Sequence, residues 1–241
     1  MAMRIGVRDG PSTCAAAARH SAARLRPAAG LRPAERLRPA ARLRSTAGLL
    51  CAALALAAAL VLGPAVAAAQ VPSIGIDDAA ARLSAGGYVL MMRHAQTEPG
   101  VGDPPQFRIG ECTTQRNLSP EGREQARAIG ATLRAAGIRI AQVRSSQWCR
   151  CRETAELAFG AHEAWPALNS FFADRSDEPR RTAEVRRFAG GLRAPDNAML
   201  VTHQVNISAV FGSYASPGEI VAGRWRDGAL VPEFRFVGER R

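Results

Sequence analysis

The sequence predicts an α/β fold, with a mostly parallel central sheet covered by helices on both faces, and three features of the chain lead there. Short apolar runs at Tyr88 to Met92, Ile140 to Val143 and Ala198 to Thr202 suit strands buried on both sides. Helical patterns fill the intervals between them. Arg93-His94 and His203 stand directly past the first and last runs, where functional residues of parallel sheets collect.

Each element has its own local reason. Ser119 can cap a helix with Pro120 in its first turn, Ala126, Ile129 and Leu133 share one face, and Gly137 marks the end. Trp148 to Phe159 fits a second helix closed by Gly160, and Arg180 to Leu192 a third. The alternating stretch from Glu219 to Val237 supplies one or two edge strands, with Asp227-Gly228 as a hairpin turn.

The 241 residues divide into three parts. Residues 1–44 form an Arg, Pro and Ala-rich extension in which Leu-Arg-Pro recurs every six residues, a pattern too poor in apolar side chains for a core. An over-extended gene start is the alternative origin of this extension. Residues 45–69 read as a signal peptide: Arg42 and Arg44 precede an uncharged, Leu-studded alanine run that ends in small residues before Gln70. Cleavage near Ala69-Gln70 would send residues 70–241 to the periplasm or beyond; an uncleaved inner-membrane anchor is the alternative.

The net charge of +11 resembles that of a nucleic-acid binder until it is divided along the chain. Ten Arg face two acids in residues 1–69, whereas 22 Arg face 19 acids in residues 70–241, so no broad nucleic-acid surface is expected. Every basic side chain is Arg, which excludes lysine Schiff-base chemistry and lysine-dependent P-loops. Residues 70–241 hold three histidines, without His-x-x-x-His or Cys-x-x-Cys spacing, so neither a metal site nor a cofactor is expected.

Four ordered motifs carry the chemistry. They are Arg93-His94-Ala95-Gln96-Thr97, then Asn117-Leu118-Ser119-Pro120-Glu121-Gly122, then Ser145-Ser146 with Arg150 and Thr154-Ala155, and finally Thr202-His203. Together they resemble the histidine phosphatase superfamily, the phosphoglycerate-mutase-like enzymes, as a small exported bacterial member. The resemblance implies a three-layer α/β/α sandwich and a phosphomonoesterase that works through a phosphohistidine, without a metal. It makes His94 the nucleophile, with Arg93, Arg150 and His203 around the phosphate, His203 adding a further donor if it is protonated. Those residue types suit phosphoryl transfer, because a neutral imidazole attacks through one nitrogen and guanidiniums hold the equatorial oxygens.

Hydrolysis also needs an acid to protonate the leaving oxygen and then activate water. Many members of the family carry a Glu after the second arginine motif, but Leu168-Asn169-Ser170-Phe171-Phe172 has no acid, and Gln204 follows the second His. Asp174 is the first candidate, ahead of Asp177, Asp103 and Glu98, and each is equally readable as a solvated carboxylate. Thr97, Arg108 and Gln204 are candidate substrate contacts. Arg108 and Arg116 lie in the long insertion from Gly100 to Arg116, where they can read a second anionic group or pair with Glu111. Cys112 can join Cys149 or Cys151 in an oxidising compartment, leaving one thiol free.

The expected substrate is a small-molecule or envelope-glycan phosphate ester, with no nucleic-acid partner and membrane contact only through the signal segment. The competing reading is a non-catalytic module of the same fold that binds a phosphorylated ligand.

Overall fold

The computed structural model describes residues 70–238, so the expected extension 1–44 and signal segment 45–69 lie outside the described residues. The chain runs α1 (Ile76–Leu83), β1 (Tyr88–Arg93), α2 (Pro120–Ala135), β2 (Gln142–Ser145), α3 (Cys149–Phe159) and β3 (Glu163–Ala164). It continues through α4 (Glu178–Gly191), β4 (Ala198–Thr202), α5 (Gln204–Phe211), β5 (Glu219–Arg226) and β6 (Ala229–Val237). The six strands form one sheet in the order β3-β2-β4-β1-β5-β6. The pairs β3-β2, β2-β4 and β4-β1 are parallel, while β5 and β6 add an antiparallel edge.

Strand alternation divides the core between the two faces of the sheet. Leu90, Met92, Met199 and Val201 pack with Ala79 and Leu83 of α1, Ile129 and Leu133 of α2, and Cys151 and Ala155 of α3. Val89, Met91 and Leu200 pack on the other face with Val185 and Ala189 of α4 and Ile207, Val210 and Phe211 of α5. This is the expected sandwich. Each fully buried aliphatic side chain contributes roughly 1.5–3 kcal/mol, which makes β1 and β4 the backbone of stability. Among the described residues, no helix is long and apolar enough to cross a membrane.

Most expected elements form with small shifts, and three are additional. The strand expected at Ile140 to Val143 starts at Gln142 and runs to Ser145, because Arg144 fits within it with its guanidinium 4.9 Å from the Trp165 ring and 4.7 Å from that of Phe188. α1, β3 and α5 lacked a signal; neither α1 nor α5 has a side-chain cap, and β3 is two residues long. Asp227 and Gly228, with φ of 49° and 82°, make the hairpin turn.

Two local devices position the site. Ser119 caps α2, its Oγ accepting from Gly122 N at 3.1 Å, and Gly122 lets the helix start press on the loop after β1. A Cβ at Gly122 would stand 1.9 Å from Gln96 O, so only glycine fits. The insertion after β1 leaves and returns through an antiparallel neck, where Thr97 bridges Leu118, Ser119 N donates to Gln96 O at 3.2 Å and Glu98 N to Asn117 O at 3.2 Å.

Candidate active site

The strand register brings the motifs together. Arg93 of β1 pairs with Thr202 of β4, so His94 and His203 follow side by side, with His94 N donating to Thr202 O at 3.0 Å and the two rings 5.5 Å apart. Ser145 of β2 pairs with Val201, which places Ser146 on the same rim. Both histidines, Ser146 and Arg150 are buried.

The tautomer of His94 follows from its partner. Nδ1 lies 2.8 Å from Ala95 O, and a carbonyl only accepts, so Nδ1 carries the proton and Nε2 keeps its lone pair. Burial first, then the charge of Arg150, bring the His94 pKa down to about 3. The imidazole is therefore neutral across the physiological range. Ala95 N in turn donates to Thr154 Oγ1 at 3.1 Å, tying this loop to α3.

His203 lies against Arg150 as a neutral imidazole. Arg150 Nη2 donates to its Nδ1 at 3.4 Å, so the proton sits on Nε2, which donates to Ser146 Oγ at 2.9 Å. The Ser146 hydroxyl passes on to Asn169 Oδ1 at 3.1 Å. Burial and then the Arg150 charge hold His203 well below the usual imidazole range, leaving it neutral. Asn169, from the loop that lacks the expected acid, fixes this chain instead, with Gln147 N also donating to its Oδ1 at 2.8 Å.

Three guanidiniums surround His94. Arg93 Nη1 donates to Tyr214 Oη and Ala215 O, each at 3.1 Å. Arg150, in the first turn of α3, stacks on Trp148 at 4.5 Å and donates through Nη1 to Asp103 Oδ1 at 2.9 Å. Arg116 donates its backbone N–H to the same Oδ1 at 3.2 Å, and its carbonyl accepts from Arg150 Nη1 at 3.4 Å. The Nε atoms of Arg93, Arg116 and Arg150 are buried without a partner. Three unpaired donors beside one carboxylate and two neutral imidazoles form a concentrated anion site. Among the described residues, no group of three His, Cys, Asp or Glu side chains is arranged to hold a metal ion.

The other candidates have different places. Asp174 is exposed and caps the 3-10 turn Arg175–Asp177, its Oδ1 accepting from Ser176 N at 2.9 Å; it makes no hydrogen bond to the histidines or arginines above. Asp177 pairs with Arg180 and Arg181, at 2.9 and 2.7 Å. Glu98 is exposed and joins the neck through its backbone. Arg108 is exposed and pairs with Glu111 at 3.4 Å, the structural alternative for that residue. Thr97 serves the neck through its backbone. Gln204 positions the segment behind Arg93, since its Oε1 accepts from Ala215 N at 2.8 Å.

The insertion is fastened to α3. Cys112 and Cys149 form a disulfide, Gln115 Oε1 accepts from Cys149 N at 3.0 Å, and Phe107 lies 4.3 Å from Trp148, ring to ring. Among the described residues, Cys151 is the free thiol, buried 3.4 Å from His203 Nε2, and burial pushes its pKa up to about 12. That argues against a thiol nucleophile.

Residues 89–176 match the histidine phosphatase superfamily (branch 1), a span that includes His94, Asp103 and Arg150 and stops before His203. Among solved structures, the chain is similar to the protein histidine phosphatase SixA complexed with tungstate. That match has 14% identity, covers 63% of this chain and 97% of that one, and has a TM-score of 0.44. It is also similar to a phosphoglycerate mutase from Thermus thermophilus, at 21% identity over 59% and 95% of the two chains, with a TM-score of 0.42. Comparison with curated proteins gives no match.

Proposed function

We propose that the chain, which matches the histidine phosphatase superfamily over residues 89–176, hydrolyses phosphate monoesters through a phosphohistidine on His94. The observation that carries this reading is the lone pair on His94 Nε2 set among three guanidiniums with unpartnered Nε donors. An imidazole so held is ready to attack phosphorus, and the donors match the charge that spreads over the equatorial oxygens of a loose transition state. Arg93, Arg116 and Arg150 supply that charge without a metal. His203 orients Arg150 through Nδ1.

Export is part of the proposal. The uncharged run before Gln70 supports it, and so does the Cys112–Cys149 disulfide, a bond that persists in oxidising compartments. An exported enzyme of this kind would meet phosphate esters of the envelope or periplasm, either small molecules or phosphorylated glycans. N-terminal sequencing of protein recovered from periplasm tests it: a start near Gln70 is expected, and retention in the membrane with an intact apolar segment would favour the anchor.

The activity itself is tested by phosphate release from p-nitrophenyl phosphate, by residues 70–241, with chelator present. Release that disappears in His94→Ala and survives chelation is the expected outcome. A folded protein that binds phosphate yet releases none from any ester would favour the binding module.

A further inference from the structure

We propose that Asp103, carried by the disulfide-fastened insertion, is the carboxylate that moves protons in this reaction. The inference rests on the phosphoryl-transfer reading of His94 and assigns the role which the sequence placed first on Asp174. Among the described residues, Asp103 is the only carboxylate in an ion pair with any of the three pocket guanidiniums. Both donors it meets grip the same atom: Arg150 Nη1 and Arg116 N converge on Oδ1. Oδ2 takes no hydrogen bond among the described residues, and 23% of the side chain remains open to solvent. One oxygen is thus anchored against the guanidinium that holds phosphate, while the other is free to face a leaving group or a water.

The insertion makes this placement lasting. Residues 100–113 are mostly exposed and carry few apolar contacts of their own, so a loop of this length would otherwise sample many conformations. Its fastening to α3 runs through Cys112–Cys149, the Phe107–Trp148 stack and Gln115, all within three residues of Arg150. The same helix turn therefore presents the phosphate-binding Arg150 and fixes the loop that presents Asp103.

The proton and electron balance closes over two steps. In the first, a monoanionic ester brings the proton that Asp103 carries on Oδ2; the His94 Nε2 lone pair then forms the N–P bond, the P–O bond to the leaving group breaks, and the departing oxygen takes that proton. In the second, water attacks phosphorus, Asp103 takes its proton, and the N–P bond breaks to return neutral His94 and phosphate. Asp103 ends as it began.

The test compares Asp103→Asn with the wild type on p-nitrophenyl phosphate and on a simple alkyl phosphate, following burst and steady state. Proton donation matters little for a nitrophenolate and much for an alkoxide. The alkyl rate should therefore fall about 10²–10⁴-fold, while the p-nitrophenol burst stays within roughly tenfold. The phosphohistidine should then accumulate, because the water lacks its base. Equal losses on both substrates, with the burst slowed alike, would overturn the proposal and leave Asp103 as a positioning partner of Arg150. Activity of the wild type that ignores His94→Ala would instead sink the underlying reading. Asp103→Glu, which keeps the carboxylate, should recover part of the alkyl rate. In a second arm, Cys112→Ser should reproduce the leaving-group selectivity in weaker form. Loss of both rates together, or of neither, would show that the disulfide does not hold the proton carrier.

Discussion

At the start of β1, Arg224 and Arg226 converge on Glu233, with Nε to Oε1 distances of 3.1 and 2.9 Å, and Tyr88 Oη joins the same carboxylate at 3.0 Å. At the far end of β1, the guanidiniums of Arg93, Arg116 and Arg150 have one paired carboxylate among them, Asp103, which Arg150 alone holds by its side chain, and each keeps its Nε buried and idle. The residue type is the same and the stoichiometry differs. Around Glu233 the hydrogen bonds are largely satisfied within the protein, and the cluster holds the β5-β6 edge to the strand that leads into the site. Around His94 the positive charge exceeds the negative, and every unpaired buried donor costs about 1–3 kcal/mol. A phosphoryl dianion would relieve that cost.

The sharpest way to break this contrast is to remove one arginine from each cluster. Arg150→Ala should lower kcat/KM about 10³-fold, since it deletes charged donors aimed at the transition state. A loss below tenfold in steady-state assays would make the cluster at His94 structural after all. Free guanidine added to Arg150→Ala should restore part of the rate.

The next effect is on stability and its pH dependence. His94 has a folded pKa of about 3 against 6.5 in the unfolded chain, so between these values the unfolded state binds a proton that the folded state does not. The contribution is complete above pH 6.5 and lost as pH falls towards 3, at up to about 1.4 kcal/mol per pH unit. His203 adds in the same direction. Urea unfolding at pH 7 and pH 4.5 should show a smaller pH-dependent loss for His94→Asn than for the wild type; parallel losses would mean that the imidazole is charged when folded.

The smallest effect belongs to the hairpin. Arg226, half exposed, pairs with Glu233 at 2.7 Å. Arg226→Ala should cost about 0.2–1 kcal/mol in thermal unfolding and leave the phosphatase rate unchanged. A change in rate would couple the two ends of β1 and end the contrast.

Much of this arrangement was legible along the chain. β1 and β4 could be read because strands covered on both faces are continuously apolar, and the two histidine motifs follow them directly. Arg144 interrupts β2 and hides its end, since its stacking on Trp165 and Phe188 arises only in three dimensions. The helix α5 contains Val205, Ile207 and Val210, which carry no helical signal of their own. In the site, the four candidate carboxylates look alike in sequence. Asp103 stands 47 residues from Arg150 and only the folded insertion joins them, whereas Asp174 sits beside the aromatic pair and turns out to cap its own turn. The pairing of Cys112 was likewise open until Cys149, rather than Cys151, was found facing it.

The neck of the insertion carries a consequence for how such enzymes diversify. Because the segment departs and re-enters through the Thr97–Leu118 bridge, the sheet meets it at the neck, and beyond that the start of α3 holds it at Asp103, Phe107 and Cys112. Residues 108–111 could be lengthened, shortened or exchanged while His94, the strand order, the Phe107 stack and the base of the loop stay as they are. Specificity would then evolve as a cassette, riveted at Cys112 and replaceable above the rivet, on a frame that never has to refold around a new substrate.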